Sequence, residues 1–133
     1  MEQPELLQVP PHAPDAERSV LGSMLIEANA LELALEQLKS EDFYIPAHET
    51  LFAAMRDVRN GGNAVDLVTT SNELSRHGML ERAGGLTYLS ELITFVPTAA
   101  NVQNYIEIVE AKSVQRQLIR AGGEIIKDGM NDG

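Results

Sequence analysis

No proline follows Pro97, and beyond it Val102, Tyr105, Ile106 and Val109 begin an apolar stripe at helical spacing that Leu118, Ile119, Ile125 and Ile126 resume. Thr98 or Asn101 can cap such a helix. From Asn101 to about Gly129 it would span about 40 Å at the helical rise of 1.5 Å per residue. A chain of 133 residues has room for one domain of ordinary size, and this helix is long for it. Between the two halves of the stripe, the segment 112–117 offers only Val114 as a large apolar side chain. A helix that outruns its own globule needs a partner, from its own chain or from another.

The remainder reads with the same period. Asp15 stands at an N-cap position, with Glu17 in the first turn where a carboxylate favours the positive helix end. Ala16, Val20, Leu21, Met24, Leu25 and Ala28 follow at helical spacing. Gly22 costs this helix about 1 kcal/mol against alanine, which a close helix–helix crossing would justify. A second helix is expected over Ala30–Lys39, and Ser40–Ile45 breaks the pattern. Pro46 suits a first helical turn, with Leu51, Phe52, Met55 and Val58 as the next stripe before Asn60-Gly61-Gly62-Asn63 ends it. Asp66 can cap a fourth helix over Leu67–His77, with Gly78 as its stop. A fifth begins after Gly84-Gly85, is expected to bury Leu86, Leu89, Leu92, Ile93 and Val96, and ends at Pro97. No segment reads as a convincing strand. The expected fold is all-α: a mobile arm over 1–14, a compact head of about five helices over 15–98, and an extended helix over 99–133.

Several chemistries find no support in the sequence. There are no cysteines, hence no disulfides, thiolate nucleophiles or cysteine zinc sites, which fits a reducing cytoplasm. The acidic, proline-rich start is no signal peptide, and no uncharged run approaches the ~20 residues a membrane span needs; a soluble, cytoplasmic protein with no membrane partner is expected. Net charge is −10, of which residues 1–98, with 15 acids and 6 bases, carry −9. Such a surface would on average repel DNA, which is gripped through clustered Lys and Arg. No Gly-x-x-x-x-Gly-Lys-Ser/Thr loop is present to cradle a phosphate, and no Gly-x-Ser-x-Gly elbow to hold a serine nucleophile. His12, His48 and His77 lack ligand spacing. His48-Glu49 opens like the zinc-protease His-Glu-x-x-His, but Phe52 stands where the second ligand must be, so His48 reads as a helix-surface histidine. Glu41 and Asp42 are adjacent acids and read as capping or solvated groups. Catalytic, cofactor-binding and metal-binding residues are all expected to be none.

Pro10-Pro11 with Ala16-Glu17-Arg18-Ser19-Val20-Leu21-Gly22, then Asp42-Phe43-Tyr44 with Pro46-Ala47-His48 and Leu51-Phe52, form an ordered series of strings. Asp66-Leu67-Val68-Thr69, Gly84-Gly85-Leu86-Thr87-Tyr88-Leu89, Val96-Pro97-Thr98-Ala99-Ala100-Asn101 and Ile108-Val109-Glu110-Ala111-Lys112-Ser113 continue it. In this order they resemble the amino-terminal domain of the bacterial replicative hexameric DNA helicase, the DnaB family, over most of the chain. Thr70 departs from the resemblance where an aliphatic residue is expected, and Gly122-Gly123 where alanines are commoner, at a propensity cost of about 2 kcal/mol.

The resemblance implies a scaffold and not an enzyme. In that family a carboxyl-terminal RecA-like motor, which this chain lacks, uses ATP and Mg to move on single-stranded DNA. The amino-terminal domains pair as a trimer of dimers into a collar on the hexamer, through extended helical hairpins. The collar docks the carboxyl-terminal domain of primase, and a helicase loader is a further partner. DNA is met mainly through the motor. On this reading the chain is a fragment, and 99–133 is the first arm of the hairpin. The expected dimer or hairpin contacts are Val102, Tyr105, Ile106 and Val109, against the alternative that they pack on their own head. The expected primase contacts are Tyr88, Ile119, Ile125 and Ile126, and Lys112, Arg116 and Arg120 form a basic strip every four residues. A single-stranded DNA-binding helical module is the alternative function, and a small helical enzyme a third.

Overall fold

The first helix begins where a proline can start it. In the computed structural model, which describes residues 9–96 and 98–132, α1 runs over Pro14–Ile26 with Pro14 in the first turn. Ala13 occupies the cap and makes no side-chain cap bond, so Asp15 is not the N-cap expected of it; it is the second residue of the helix, in its first turn, bonded to Arg18. The expected arm over 1–14 falls partly on residues 1–8, outside the described residues, as does the stop expected of Pro97.

Glu27, in extended backbone, separates α1 from α2, Ala28–Gln37. This helix starts and ends two residues earlier than its expected range, because Leu38 and Lys39 are already extended. They lead into a 3-10 turn over Ser40–Asp42, closed by the Lys39 N–H donating to Asp42 Oδ2 at 2.7 Å. Then come α3, Pro46–Asn60, α4, Leu67–Arg76, and α5, Gly85–Phe95. Asp66 caps α4 as its sequence position suggests, its carboxylate accepting from the Thr69 N–H at 2.8 Å. A second 3-10 turn, Ala99–Asn101, runs into α6, Val102–Asp132.

The fold is all-α, with no strand among the described residues, and none of the described helices is long and apolar enough to cross a membrane. α1 is its axis: α2, α3, α5 and the start of α6 all pack against it. Val20, Leu21 and Met24 of α1 meet Leu31 of α2, Leu51, Phe52 and Met55 of α3, Leu89 and Leu92 of α5, and Ile106 of α6 in one core. Gly22 makes the close crossing its position suggests. A Cβ there would stand 2.3 Å from the carbonyl oxygen of Leu92 and 2.6 Å from a methyl of Val96. Of the α5 residues expected inside, Leu89, Leu92 and Val96 are buried and Ile93 is partly so. Leu86, one residue past the positive-φ pair Gly84-Gly85, is 51% exposed. Gly85, Leu89 and Leu92 form the buried face of α5, and Leu86 lies beside that face.

Candidate protein-docking surface

The 31 residues of α6 make a helix of about 46 Å, and its two halves have different surroundings. In the near half Val102, Ile106, Val109 and Ser113 are buried against the head. Three of the four expected dimer or hairpin contacts are therefore occupied by the chain's own core. Tyr105 alone is half-buried, and it lines an apolar groove with Phe95 and Ile108, both partly open to solvent. Side-chain bonds fasten the same half of α6. Gln103 exchanges two hydrogen bonds with Gln37, at 2.8 and 2.9 Å, and the Ser113 hydroxyl donates to Asp42 Oδ1 at 2.7 Å.

Arg116 is the last fastening. Its guanidinium donates to the carbonyl oxygens of Pro11, at 2.9 Å, and Asp42, at 2.7 Å, and lies over the Tyr44 ring at 5.5 Å. His12 stacks on the same tyrosine, centroid to centroid 4.2 Å. The strip Lys112–Arg116–Arg120 is thus not one uniform face. Its middle member is spent on backbone carbonyls, while Arg120 is exposed. Asp42, read beforehand as a capping or solvated acid, does cap its own turn and also ties that turn to α6.

Past Arg116 the helix presents its apolar side chains to solvent. Leu118, Ile119, Ile125, Ile126 and Met130 are each more than half exposed, and Val114 is nearly so. At 100° per residue these six fall within a sector of about 160°, on the side of the helix away from Val102, Ile106 and Val109. Arg120, Glu124, Lys127 and Asp128 take the other side, and Gly122 sits in the middle of the apolar sector with nothing within 4 Å of a notional Cβ. The distal half is therefore amphipathic, and its apolar face is largely exposed among the described residues, with Ile119 at the edge of a hollow lined by Pro10, Phe43 and Tyr44. Ile119, Ile125 and Ile126 belong to this stripe.

Tyr88 lies elsewhere, on α5. Its hydroxyl is 2.6 Å from His48 Nε2, the two rings are stacked 8° from parallel, and its Cδ2 would be 2.5 Å from a Cβ on Gly84, whose φ is +108°. His48 is fully buried, at 0% exposure, and corrects the helix-surface reading. Its Nδ1 is 2.8 Å from Glu17 Oε1. Glu17, also buried at 1% exposure, accepts from the Tyr44 N–H at 2.8 Å and the Ile45 N–H at 3.4 Å. A carboxylate so placed only accepts. The bonding network therefore assigns a proton to Nδ1, and Nε2 lies within hydrogen-bond distance of the Tyr88 hydroxyl. Sequence reading missed this pair, although a signal was present. Glu17 precedes Val20, Leu21 and Met24, and His48 precedes Leu51, Phe52 and Met55, each by three, four and seven residues. Both polar side chains thus continue a buried stripe.

Elsewhere the head carries exposed ion pairs. The side-chain hydrogen bond from Arg59 holds the Glu32 carboxyl below its ordinary range, and that from Arg76 does the same for Glu73. The Arg59–Glu32 pair, open to solvent on both sides, contributes little to stability. Among the described residues no three His, Asp or Glu side chains gather as a metal would require.

Residues 9–111 match the family model for the DnaB-like helicase N-terminal domain. The replicative DNA helicase DnaB of Geobacillus stearothermophilus is 49% identical over 122 residues, which are 92% of this chain and 27% of that protein. The chain thus spans about a quarter of the length of the curated relatives it matches. The crystal structure of the N-terminal domain of DnaB helicase from Mycobacterium tuberculosis superposes with a TM-score of 0.90 at 43% identity, over 93% of this chain and 89% of that one. A solved DnaB-like replicative helicase, described with its interactions with primase, superposes with a TM-score of 0.77 at 28% identity over 87% of this chain and 27% of its own.

Proposed function

The chain belongs to the DnaB-like helicase N-terminal domain family, and from that premise we propose that it is the scaffold and docking domain of a replicative DNA helicase. Its work is binding and geometry. It pairs with further copies of itself to build the collar of a hexameric ring, and it offers that collar to the carboxyl-terminal domain of primase. ATP hydrolysis and most contact with DNA belong to a motor domain of the complete helicase, and a loader is a further partner.

The observation that carries this reading is the far half of α6, whose apolar side chains are largely exposed among the described residues. Exposed aliphatic side chains gathered on one helix face mark an interaction surface. We assign α6 as the first arm of a helical hairpin, with 15–98 and the fastened near half of α6 as the head. Because Val102, Ile106 and Val109 are held by the head, the pairing surface passes to Val114, Leu118 and the residues beyond them. Ile119, Ile125 and Ile126 are the assigned primase contacts on α6, joined by Tyr88 from α5. The solved helicase described with its interactions with primase supports the choice of partner. A single-stranded DNA module is less well supported, since Arg116 is engaged by backbone carbonyls and the head is acidic.

Light scattering on a sizing column, with the chain mixed with the cognate primase's carboxyl-terminal domain, tests the docking role. A species with the mass of both chains is expected. Separate elution far above the expected dissociation constant would remove primase from the role of these 133 residues, and the scaffold would then rest on self-association alone.

A further inference from the structure

The stretch ahead of α1 is expected to be a mobile arm, yet Pro10, Pro11 and His12 are seated against α6 where its far half begins. Two prolines suit a strap. They fix φ and remove two backbone donors, so the segment loses little conformational freedom on being held and has only carbonyls to offer. Both carbonyls are used. That of Pro10 accepts from His12 Nδ1 and that of Pro11 from Arg116, each at 2.9 Å. His12 lays its ring on Tyr44, the ring over which the Arg116 guanidinium also lies. Arg116 joins two distant segments through two nitrogens: Nη1 reaches the strap and Nη2 reaches the Asp42 carbonyl. A planar fork suits that bridge, and a lysine ammonium does not reproduce it. Past Arg116 no side chain of α6 is hydrogen-bonded to the head among the described residues, and a helix without tertiary contacts is marginal in water. The strap itself is exposed at Pro10 and only partly buried at Pro11 and His12, so it can open while the core stays closed.

We propose that residues 10–12 are a releasable strap: seated on Tyr44 and Arg116, it sets how far along α6 the head grips the helix, and lifting it hands the stretch 114–120 to the free arm. The coupling is reciprocal, because whatever steadies Arg116 also steadies the strap. It acts within one chain, so it stands apart from the pairing and docking assigned to α6 and holds whether or not those partners bind.

Three substitutions separate a strap from general stability. His12→Ala removes the stack on Tyr44 and leaves both proline carbonyls in place. Arg116→Lys keeps the charge and loses the bridge. Val58→Ala trims a buried side chain at the end of α3, in a region that the strap does not line. Amide exchange is followed by NMR at a concentration where light scattering shows one chain per particle. His12→Ala and Arg116→Lys are each expected to speed exchange over 114–120 by about threefold to thirtyfold, the scale of a lost stack or hydrogen bond. Arg116→Lys is also expected to speed exchange at the His12 and Ala13 amides, and the double variant to fall short of the product of the two single effects. Val58→Ala is expected to leave 114–120 unchanged, since local opening does not break the core. Exchange over 114–120 that ignores His12→Ala overturns the proposal. So does equal acceleration by Val58→Ala, because the stretch would then open only with the whole head. Single effects that multiply in full overturn it as well, since they belong to two independent contacts.

Discussion

At the scale of single residues, polar side chains on apolar stripes meet different fates. Glu17 and His48 satisfy one another, with backbone N–H groups and a tyrosine hydroxyl completing the set. Thr70 does not. It occupies a fully buried position on α4 where the family resemblance leads one to expect an aliphatic residue, and its Oγ1 has no hydrogen-bond partner among the described residues. An unpaired buried hydroxyl costs free energy that a methyl of the same shape does not. Thr70→Val is therefore expected to stabilise the chain by about 1 kcal/mol, seen as a higher urea midpoint at unchanged slope. An unchanged or lower midpoint would mean that the hydroxyl has found a partner. Periodicity alone could have flagged Glu17, His48 and Thr70 as inward-facing. It could not tell which of them had partners, because those partners come from other helices.

At the scale of elements, glycine has opposite meanings in α1 and α6. Gly22 is read from sequence as a crossing point, and the carbonyl of Leu92 stands where its Cβ would be. Gly122 and Gly123 meet nothing within 4 Å. Gly22→Ala is expected to destabilise by about 1–3 kcal/mol through overpacking, despite a propensity gain of about 1 kcal/mol. Gly122→Ala with Gly123→Ala should raise helicity by circular dichroism and slow amide exchange in the far half of α6, each alanine contributing up to about 1 kcal/mol. If the double alanine variant instead lost stability, those glycines would have to lie against something the single chain does not contain. The boundaries of α2 were legible only to within two residues, since the extended backbone at Leu38 and Lys39 is set by the turn that Asp42 closes onto α6.

At the scale of the whole molecule, the division between a packed head and a projecting helix places the docking surface. Replacing Ile125 and Ile126 together by serine removes apolar area that the head does not use. The expected result is a weaker dependence of light-scattering mass on concentration, with the unfolding free energy of the head held within about 0.5 kcal/mol. A large loss of head stability would mean that these side chains pack inward. Arg116 and Arg120, one helical turn apart, behave differently: the first is hydrogen-bonded to the Asp42 carbonyl and lies over the Tyr44 ring, while the second is exposed at the edge of the same hollow.

The sequence by itself determined the all-α class, the order of the helices, most caps and stops, the length of the last helix and the family, because each is written in local periodicity or in contiguous strings. The amphipathic character of the far stripe was legible for the same reason. Only the tertiary structure decided which half of that stripe is consumed by the head, that Leu86 is left exposed, and that a buried carboxylate and imidazole stand behind Tyr88. Those outcomes depend on where α1, α3, α5 and α6 meet. Residues 31 and 40 positions apart, such as Glu17 with His48 and His48 with Tyr88, become neighbours only when helix packing brings them together, and no local pattern records that meeting.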